Sequence, residues 1–526
     1  MKIRSVFLGI RNEVTGLKLF VKRLFKKTFP QWLKKPGSTS VTNSPVTASN
    51  YKSHPLSSSF LRELSCKYEG KLLLRKEITV NEEVFQRLLS NHLFTSLPSL
   101  QKKFFSLICK RCNNKKQSLF AKIPCLRCNE THYYCRKCIA MGRIMECEPL
   151  YYWTGEGYDW PRVSQPCSWK GTLSPPQKRA ANKIKNVVIN GGKLLVWAVT
   201  GAGKTEMLYP GITVALQKGK RVCIATPRKD VVRELLPRLQ QAFTSIHIQG
   251  LYSGSRDNDG TAQLIISTTH QLFRYFNAFD VLIIDEIDAF PFHQDTTLHF
   301  AASRAVKKMA SLIYLTATPS EKLQSDIAFK KLDHVFVPVR FHGHPLPVPK
   351  TIRCSTHKRM DGQVILPPQF KNWFKKRRVP SRQLLIFVPT IQLAEKLKQP
   401  ITQLLLRNKW ITTRFQIESV HAEDRKREQK IERFRNKQIR ALVTTTILER
   451  GVTFPEIDVV VLRADHSTFD EAALIQIAGR AGRSSIDPVG EIVFFHDGKT
   501  NAMVHAKQQI IKMNQRARKL IHKAQQ

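Results

Sequence analysis

The sequence predicts an α/β chain with two parallel-sheet domains, preceded by a small cysteine-rich module and a basic amino-terminal extension. Three observations lead there. Short apolar runs alternate with helical stretches from about residue 173 to the end. A Pro-rich joint, His344-Pro-Leu-Pro-Val-Pro349, divides that alternation into two arrays. Six of the eleven cysteines form three C-x-x-C pairs between Cys109 and Cys138. Strands that alternate with helices favour parallel sheets, because each crossover carries a helix onto a sheet face.

The chain has 526 residues, with 86 Lys plus Arg against 40 Asp plus Glu, a formal charge of +46. That length suits three to four domains, and 42% hydrophobic content suits globular ones. So large a positive charge calls for a polyanion: nucleic acid first, an anionic membrane surface second. A small acidic substrate would not need charge spread along the whole chain. No apolar run approaches the 18 or so residues of a membrane-spanning helix, and Arg4 and Arg11 interrupt the start too early for a secretory signal. Paired cysteines at this low density favour metal in a reducing compartment, so a cytoplasmic location is expected.

Residues 1–36 carry ten Lys/Arg and one Glu, with Phe7, Ile10, Val14, Leu17, Phe20, Val21 and Leu24 at roughly helical spacing. This basic amphipathic pattern suits an anionic surface, or equally a loosely ordered extension. Residues 37–59 read as a Ser/Thr-rich linker and 60–105 as a basic helical region; 106–170 hold the cysteines. The first α/β array spans 171–345, with strands expected at 193–199, 220–225, 263–267, 280–284 and 311–316. The second spans 346–526, with strands at 383–388, 415–420, 440–445, 457–462 and 490–495.

Ala198-Val-Thr-Gly-Ala-Gly-Lys-Thr205 follows a strand and opens a helix, the context of a phosphate-binding loop. Thr200, Gly201, Ala202 and Gly203 would wrap phosphates with backbone N–H groups. Lys204 would reach the β- and γ-phosphates, and Thr205 would ligate Mg²⁺. Asp285-Glu-Ile-Asp288 follows a strand about 80 residues on. There Asp285 would hold Mg²⁺, and Glu286 would orient and deprotonate the attacking water. Gln177 precedes the first strand, where it can read adenine.

Further signatures follow in order: Ala225-Thr-Pro-Arg228, Ser267-Thr-Thr-His270, Thr316-Ala-Thr318, Thr444 through Gly451, and Gln476-Ile-Ala-Gly-Arg-Ala-Gly-Arg483. This series resembles superfamily-2 helicases and translocases with two RecA-like domains. Within them, T-G-A-G-K-T-E-M-L, D-E-I-D-A-F-P-F and T-T-T-I-L-E-R-G-V-T resemble the late competence ATPase family ComFA over roughly residues 60–526. The resemblance implies an ATPase stimulated by single-stranded DNA that helps bring transforming DNA into the cytoplasm, working with other late competence proteins and the membrane uptake channel. That would place the chain at the inner face of the cell membrane, with oligomers allowed. Arg480 and Arg483 would act as arginine fingers, with Gly451 beside the nucleotide. Backbone-directed contacts to DNA would come from Thr226, Arg228, Thr268, Thr269 and Thr445, since a motor must not read sequence. The alternatives are a strand-separating DNA or RNA helicase and an ATP-switched nucleic-acid scaffold.

Tetrahedral Zn²⁺ needs two C-x-x-C pairs. Spacing slightly favours Cys125/Cys128 with Cys135/Cys138. The family resemblance instead assigns Cys109, Cys112, Cys135 and Cys138 to one structural Zn²⁺, with the middle pair riding on the loop between. Cys147 and Cys167 could complete a second site, but they are widely spaced and form no knuckle. The zinc module is expected to present Lys110, Arg111, Arg136 and Lys137 to DNA or a partner.

Overall fold

The computed structural model describes residues 57–104, 106–255, 259–354 and 364–525. The expected basic helix over 1–36, and most of the linker after it, lie outside these residues. The described residues from Ser58 onward form one compact unit.

The region expected to be helical over 60–105 is mixed. Helices Ser58–Tyr68 and Glu82–Ser90 pack with strands β1 (Leu73–Leu74) and β2 (Phe94–Leu97). The reason is aromatic packing: Phe94 meets Tyr68, Phe85 and Trp153 edge-on or tilted, a core that a helical reading of the basic residues does not anticipate. Strands β3 (Leu100–Lys103) and β4 (Ser106–Cys109) form a hairpin. β5 (Phe120–Pro124), β6 (Thr131–Cys135) and β7 (Ile144–Met145) form a small antiparallel sheet, and β8 (Leu150–Trp153) returns between β1 and β2.

The first large sheet uses β9 (Gly192–Ala198), β10 (Val222–Thr226), β11 (Ile248–Leu251), β12 (Leu264–Thr268), β13 (Phe279–Ile284), β14 (Val306–Thr316) and β15 (Asp333–Val337). All are parallel, in the order β11-β12-β10-β13-β14-β9-β15. The second uses β16 (Lys350–Arg353), β17 (Gln383–Phe387), β18 (Ile417–Val420), β19 (Ala441–Thr444), β20 (Ile457–Leu462) and β21 (Ile492–His496), also all parallel, in the order β16-β21-β20-β17-β19-β18. Helices cover both faces, so central strands are buried on both sides and read as unbroken apolar runs. Leu282, Ile284, Val459 and Val461 all have no exposed surface or nearly none.

One buried strand position carries a carboxylate. Asp458 sits in β20 with 0% exposure. Its carboxylate accepts from Arg377 Nη2 at 2.6 Å, from Arg377 Nε at 2.9 Å and from the Glu491 N–H at 2.9 Å. Arg382 reaches it at 3.4 Å and pairs with Asp487 at 2.5 Å. This network ties β20 to the segment leading into β17 and to the loop before β21. Asp458→Ala would strand a buried Arg377 charge, so it should lower the unfolding free energy by about 3–5 kcal/mol. Denaturant unfolding of wild type and variant measures this, and an unchanged midpoint would assign the network no stabilising role.

Candidate functional site

The loop between β9 and the helix Lys204–Gln217 places its backbone against a cleft of about 790 Å³. Gly201 and Gly203 take left-handed φ values of 75° and 72°. Glycine is required at 203 by conformation, and a Cβ there would stand 2.4 Å from Gln177 Nε2 and displace that amide. Gln177 lies in the helix Pro175–Asn190. Its Nε2 donates to the Ala202 carbonyl at 2.9 Å, and its Oε1 accepts from the Ser174 N–H at 2.8 Å. Its amide thus holds the phosphate loop and caps its own helix.

Gln177, Thr200, Gly201, Ala202, Gly203, Lys204, Thr205, Asp285, Glu286, Gly451, Arg480 and Arg483 all line this one cleft. Residues more than 300 positions apart meet there because the first sheet presents the carboxyl ends of β9 and β13 to it, while the second domain brings the segment Gly451–Thr453 and the end of its helix Glu471–Ala478. Asp285 follows β13, and burial pushes its carboxyl up to about 6 against the pull of Lys204. Burial lowers the pKa of Lys204, while Asp285, Asp288 and Glu286 pull it back up. Glu286 adopts φ 54°, uncommon for a residue with a side chain. Its Oε2 is buried with no hydrogen-bond partner in the structure. An amide-lined loop, a partly buried lysine and an unsatisfied carboxylate oxygen together fit a nucleoside triphosphate with Mg²⁺.

The second domain brings two arginines to the cleft wall and a third to the acidic loop beside it. Arg480 is 2% exposed; its Nε donates to the Glu449 carbonyl at 2.9 Å and its Nη1 to the Val452 carbonyl. Burial, then the charge of Arg483, lower its pKa. Arg483 donates through Nε to the Gly479 carbonyl at 2.9 Å and through Nη1 to Thr453 Oγ1 at 3.3 Å. A Cβ on Gly479 would fall 2.0 Å from Thr200 Oγ1, so the second domain is seated directly on the phosphate loop.

The third arginine, Arg450, lies inside the T-T-T-I-L-E-R-G run, where spacing alone does not single it out. Its Nη2 donates to Asp288 Oδ2 at 2.6 Å, and its Nη1 lies 3.9 Å from Glu286 Oε2. Burial opposes its charge, but Asp288 and Glu286 outweigh that and raise its pKa. Asp288 also accepts from Thr316 Oγ1 and Thr318 Oγ1, each at 2.6 Å. Trp169, Phe341 and the Arg238–Glu206 pair at 2.6 Å line the cleft as well. No motif flagged them, because an aromatic or a surface ion pair carries no distinctive spacing.

The residues expected to grip DNA lie at strand ends. Thr226 and Thr268 are register partners ending β10 and β12. Thr226 and Thr269 are fully buried, and their hydroxyls have no hydrogen-bond partner. Thr268 and Thr445 are half-buried, and Arg228 pairs across the domain boundary with Glu449 at 2.6 Å. The structure therefore leaves backbone groups and half-buried side chains, rather than Thr226 or Thr269 hydroxyls, to face a strand.

Cys109, Cys112, Cys135 and Cys138 are buried together, with all four Sγ atoms within 4.8 Å of one another. Sγ separations of 3.8 Å for Cys109–Cys138 and 3.6 Å for Cys112–Cys135 match the edge of about 3.8 Å that Zn–S bonds of about 2.3 Å give a tetrahedron. The first and last pairs thus form a set that fits Zn²⁺. The basic residues beside it are not all offered outward as expected. Arg111 is 0% exposed, with Nε donating to the Phe273 carbonyl and Nη2 near Glu77. Lys137 pairs with Asp295 at 2.6 Å. These contacts dock the module on the first α/β domain; charge next to a cysteine pair looked like surface only because its partners lie far away in sequence.

The comparisons with known proteins agree. The competence protein ComFA N-terminal domain matches residues 57–152. A region described as type III restriction enzyme, res subunit, matches 170–321, and the helicase conserved C-terminal domain matches 369–485. Competence protein ComFA of Bacillus subtilis is 42% identical over 464 residues, 88% of this chain and 97% of that protein. Competence protein ComFA of Streptococcus pneumoniae is 37% identical over 451 residues, 86% of this chain and 98% of that one. Identity of that extent, running through both the cysteine module and the two sheets that form the cleft, makes this chain a member of the competence protein ComFA family.

Proposed function

We propose that this helicase-like ATPase of competence is a translocase that uses ATP to move single-stranded DNA into the cytoplasm. The observation that carries the reading is the shared cleft. Lys204 and Glu286 come from one domain and Arg480 and Arg483 from the other, so charge on a bound triphosphate is felt by both. When bound, Mg²⁺ would neutralise phosphate charge, and Thr205 and Asp285 would hold it. Glu286 would accept the proton of the attacking water. Arg480 and Arg483 would stabilise charge as it develops on the phosphoryl oxygens.

Loss of that charge weakens the reason for the second domain to stay seated. Asp288 links this change to Thr316, Thr318 and Arg450 at once. A strand held at the ends of β10, β12 and β19 would then be released by one domain and kept by the other. The charge of +46 supports a polyanionic track and leaves an anionic membrane surface as a further contact. Other late competence proteins and the uptake channel are the partners this reading implies.

The deciding experiment compares ATP turnover with single-stranded DNA, duplex DNA and RNA, with strand displacement in parallel. Stimulation by single strands without displacement is the expected result; efficient displacement would make the protein a helicase instead. Glu286→Gln should bind ATP yet turn over at least about 100-fold more slowly. Arg483→Ala should lower kcat by about 10³-fold or more with little change in nucleotide affinity; weaker binding with full turnover at saturation would make Arg483 a ground-state anchor. DNA affinity should fall linearly with salt on logarithmic axes, independently of base sequence. A flat response would show that the charge serves another partner.

A further inference from the structure

The middle cysteine pair does not ride free on its loop. Cys125, Cys128 and Cys147 bring their Sγ atoms within 4.8 Å of one another, with Cys125 and Cys147 3.7 Å apart. His132, on β6, places Nε2 3.0 Å from Cys128 Sγ. The remaining cysteine once considered for such a site, Cys167, packs instead against the core of the first α/β domain. We propose that Cys125, Cys128, His132 and Cys147 form a second Zn²⁺ site, distinct from the buried four-cysteine set.

Three observations support it. The first is the backbone at the pair. At the first knuckle, Cys109-Lys-Arg-Cys112-Asn113, the Asn113 N–H donates to the Cys109 carbonyl at 2.7 Å, and the Cys109 N–H donates to the Asn114 carbonyl at 3.1 Å; Asn113 has φ 58°. At Cys125-Leu-Arg-Cys128-Asn129 the same two bonds recur, Asn129 N–H to Cys125 carbonyl and Cys125 N–H to Glu130 carbonyl, each at 2.9 Å, with Asn129 at φ 54°. The chain therefore builds the same thiolate-presenting turn twice. The left-handed residue comes directly after the second cysteine both times, turning both sulfurs to one side.

The second observation is the donor set. Three thiols and one imidazole suit a tetrahedral borderline-soft ion such as Zn²⁺ and exclude the oxygen-seeking cations. Nδ1 of His132 faces the Glu146 carboxylate at 4.0 Å, so Glu146 lies on the side of the ring where an outer-shell partner orients a ligating histidine.

The third is what the hairpin lacks. From residue 121 to residue 134, across β5, the turn and most of β6, no side chain is buried. Two strands without a core hold register poorly in water. An ion bridging the turn to Cys147, just past β7, would fix the outer end of this sheet, as the four-cysteine set would fix its inner end. The exposed Leu126, at the tip, would then be carried on a rigid knuckle.

The test is metal content of the full-length protein, purified under reducing conditions and dialysed free of loose ions. Wild type should hold two zinc ions per chain, and Cys128→Ser and Cys147→Ser one each. Co²⁺ substitution should give two ligand fields, with the one lost in Cys128→Ser belonging to a three-sulfur, one-nitrogen set. His132→Ala should weaken one zinc by more than the roughly 10- to 100-fold typical of losing an outer-shell partner. Cys128 and Cys147 are exposed and His132 lies on the coreless hairpin, so the variants should unfold at the wild-type denaturant midpoint for the α/β domains. One zinc in wild type, two zincs in Cys128→Ser, or a Cys125–Cys147 disulfide beside a single zinc would each overturn the proposal. Unchanged zinc affinity in His132→Ala would overturn the choice of fourth ligand.

Discussion

The contact on which the arrangement of the cleft depends is the ion pair between Arg450 and Asp288. It joins the second α/β domain to the acidic loop of the first, with both side chains less than a tenth exposed. Asp288 is saturated by it: Arg450, Thr316 and Thr318 take up both its oxygens. A buried carboxylate so bonded persists only while every donor stays in place, because stranding any charge in that interior is costly. The seating of the second domain, the position of the Thr316-Ala-Thr318 turn and the placement of Glu286 are thus set together.

Around this pair the boundary is laid out in layers. Gly479 fits against Thr200 where no larger residue could. Arg228 meets Glu449, Arg427 meets Asp230, and Arg233 meets Glu428. Arg233–Glu428 is the exposed pair and contributes little, whereas Arg228–Glu449 and Arg427–Asp230 are largely buried. The inner pair is positioned to sense the site itself, since Arg450 lies beside Glu286 as well as Asp288.

The cysteine module uses a different source of stability. Its few buried apolar residues, among them Leu107, Phe120, Met141 and Ile144, share one cluster with Leu272, Phe273 and Leu298 of the first α/β domain, and charged side chains bonded to backbone reinforce that contact. Arg304 donates to the Phe273 carbonyl at 2.6 Å and to the carbonyl of Arg111, while Arg111 itself reaches Phe273. The four-cysteine set lies beside Arg304 and, as thiolates on Zn²⁺, would supply both order and compensating negative charge.

The phosphate loop, the acidic run, the arginine pair and ten of the thirteen strands of the two large sheets were legible in the amino-acid order alone. Each depends on neighbours in the chain: glycines at fixed offsets, a carboxylate closing an apolar run, a continuous buried strand. The three unforeseen strands, β11, β15 and β16, all lie at sheet edges, where one side lacks a partner and the apolar signal weakens. Tertiary structure alone decided what depends on residues far apart: Arg450 against Asp288, Arg111 turned inward, Thr226 and Thr269 sealed from solvent, and Cys147 brought to the middle pair. Spacing describes local geometry well, but a charge or a thiol acquires its role from whatever the fold places opposite it, and that partner is set by packing over hundreds of residues.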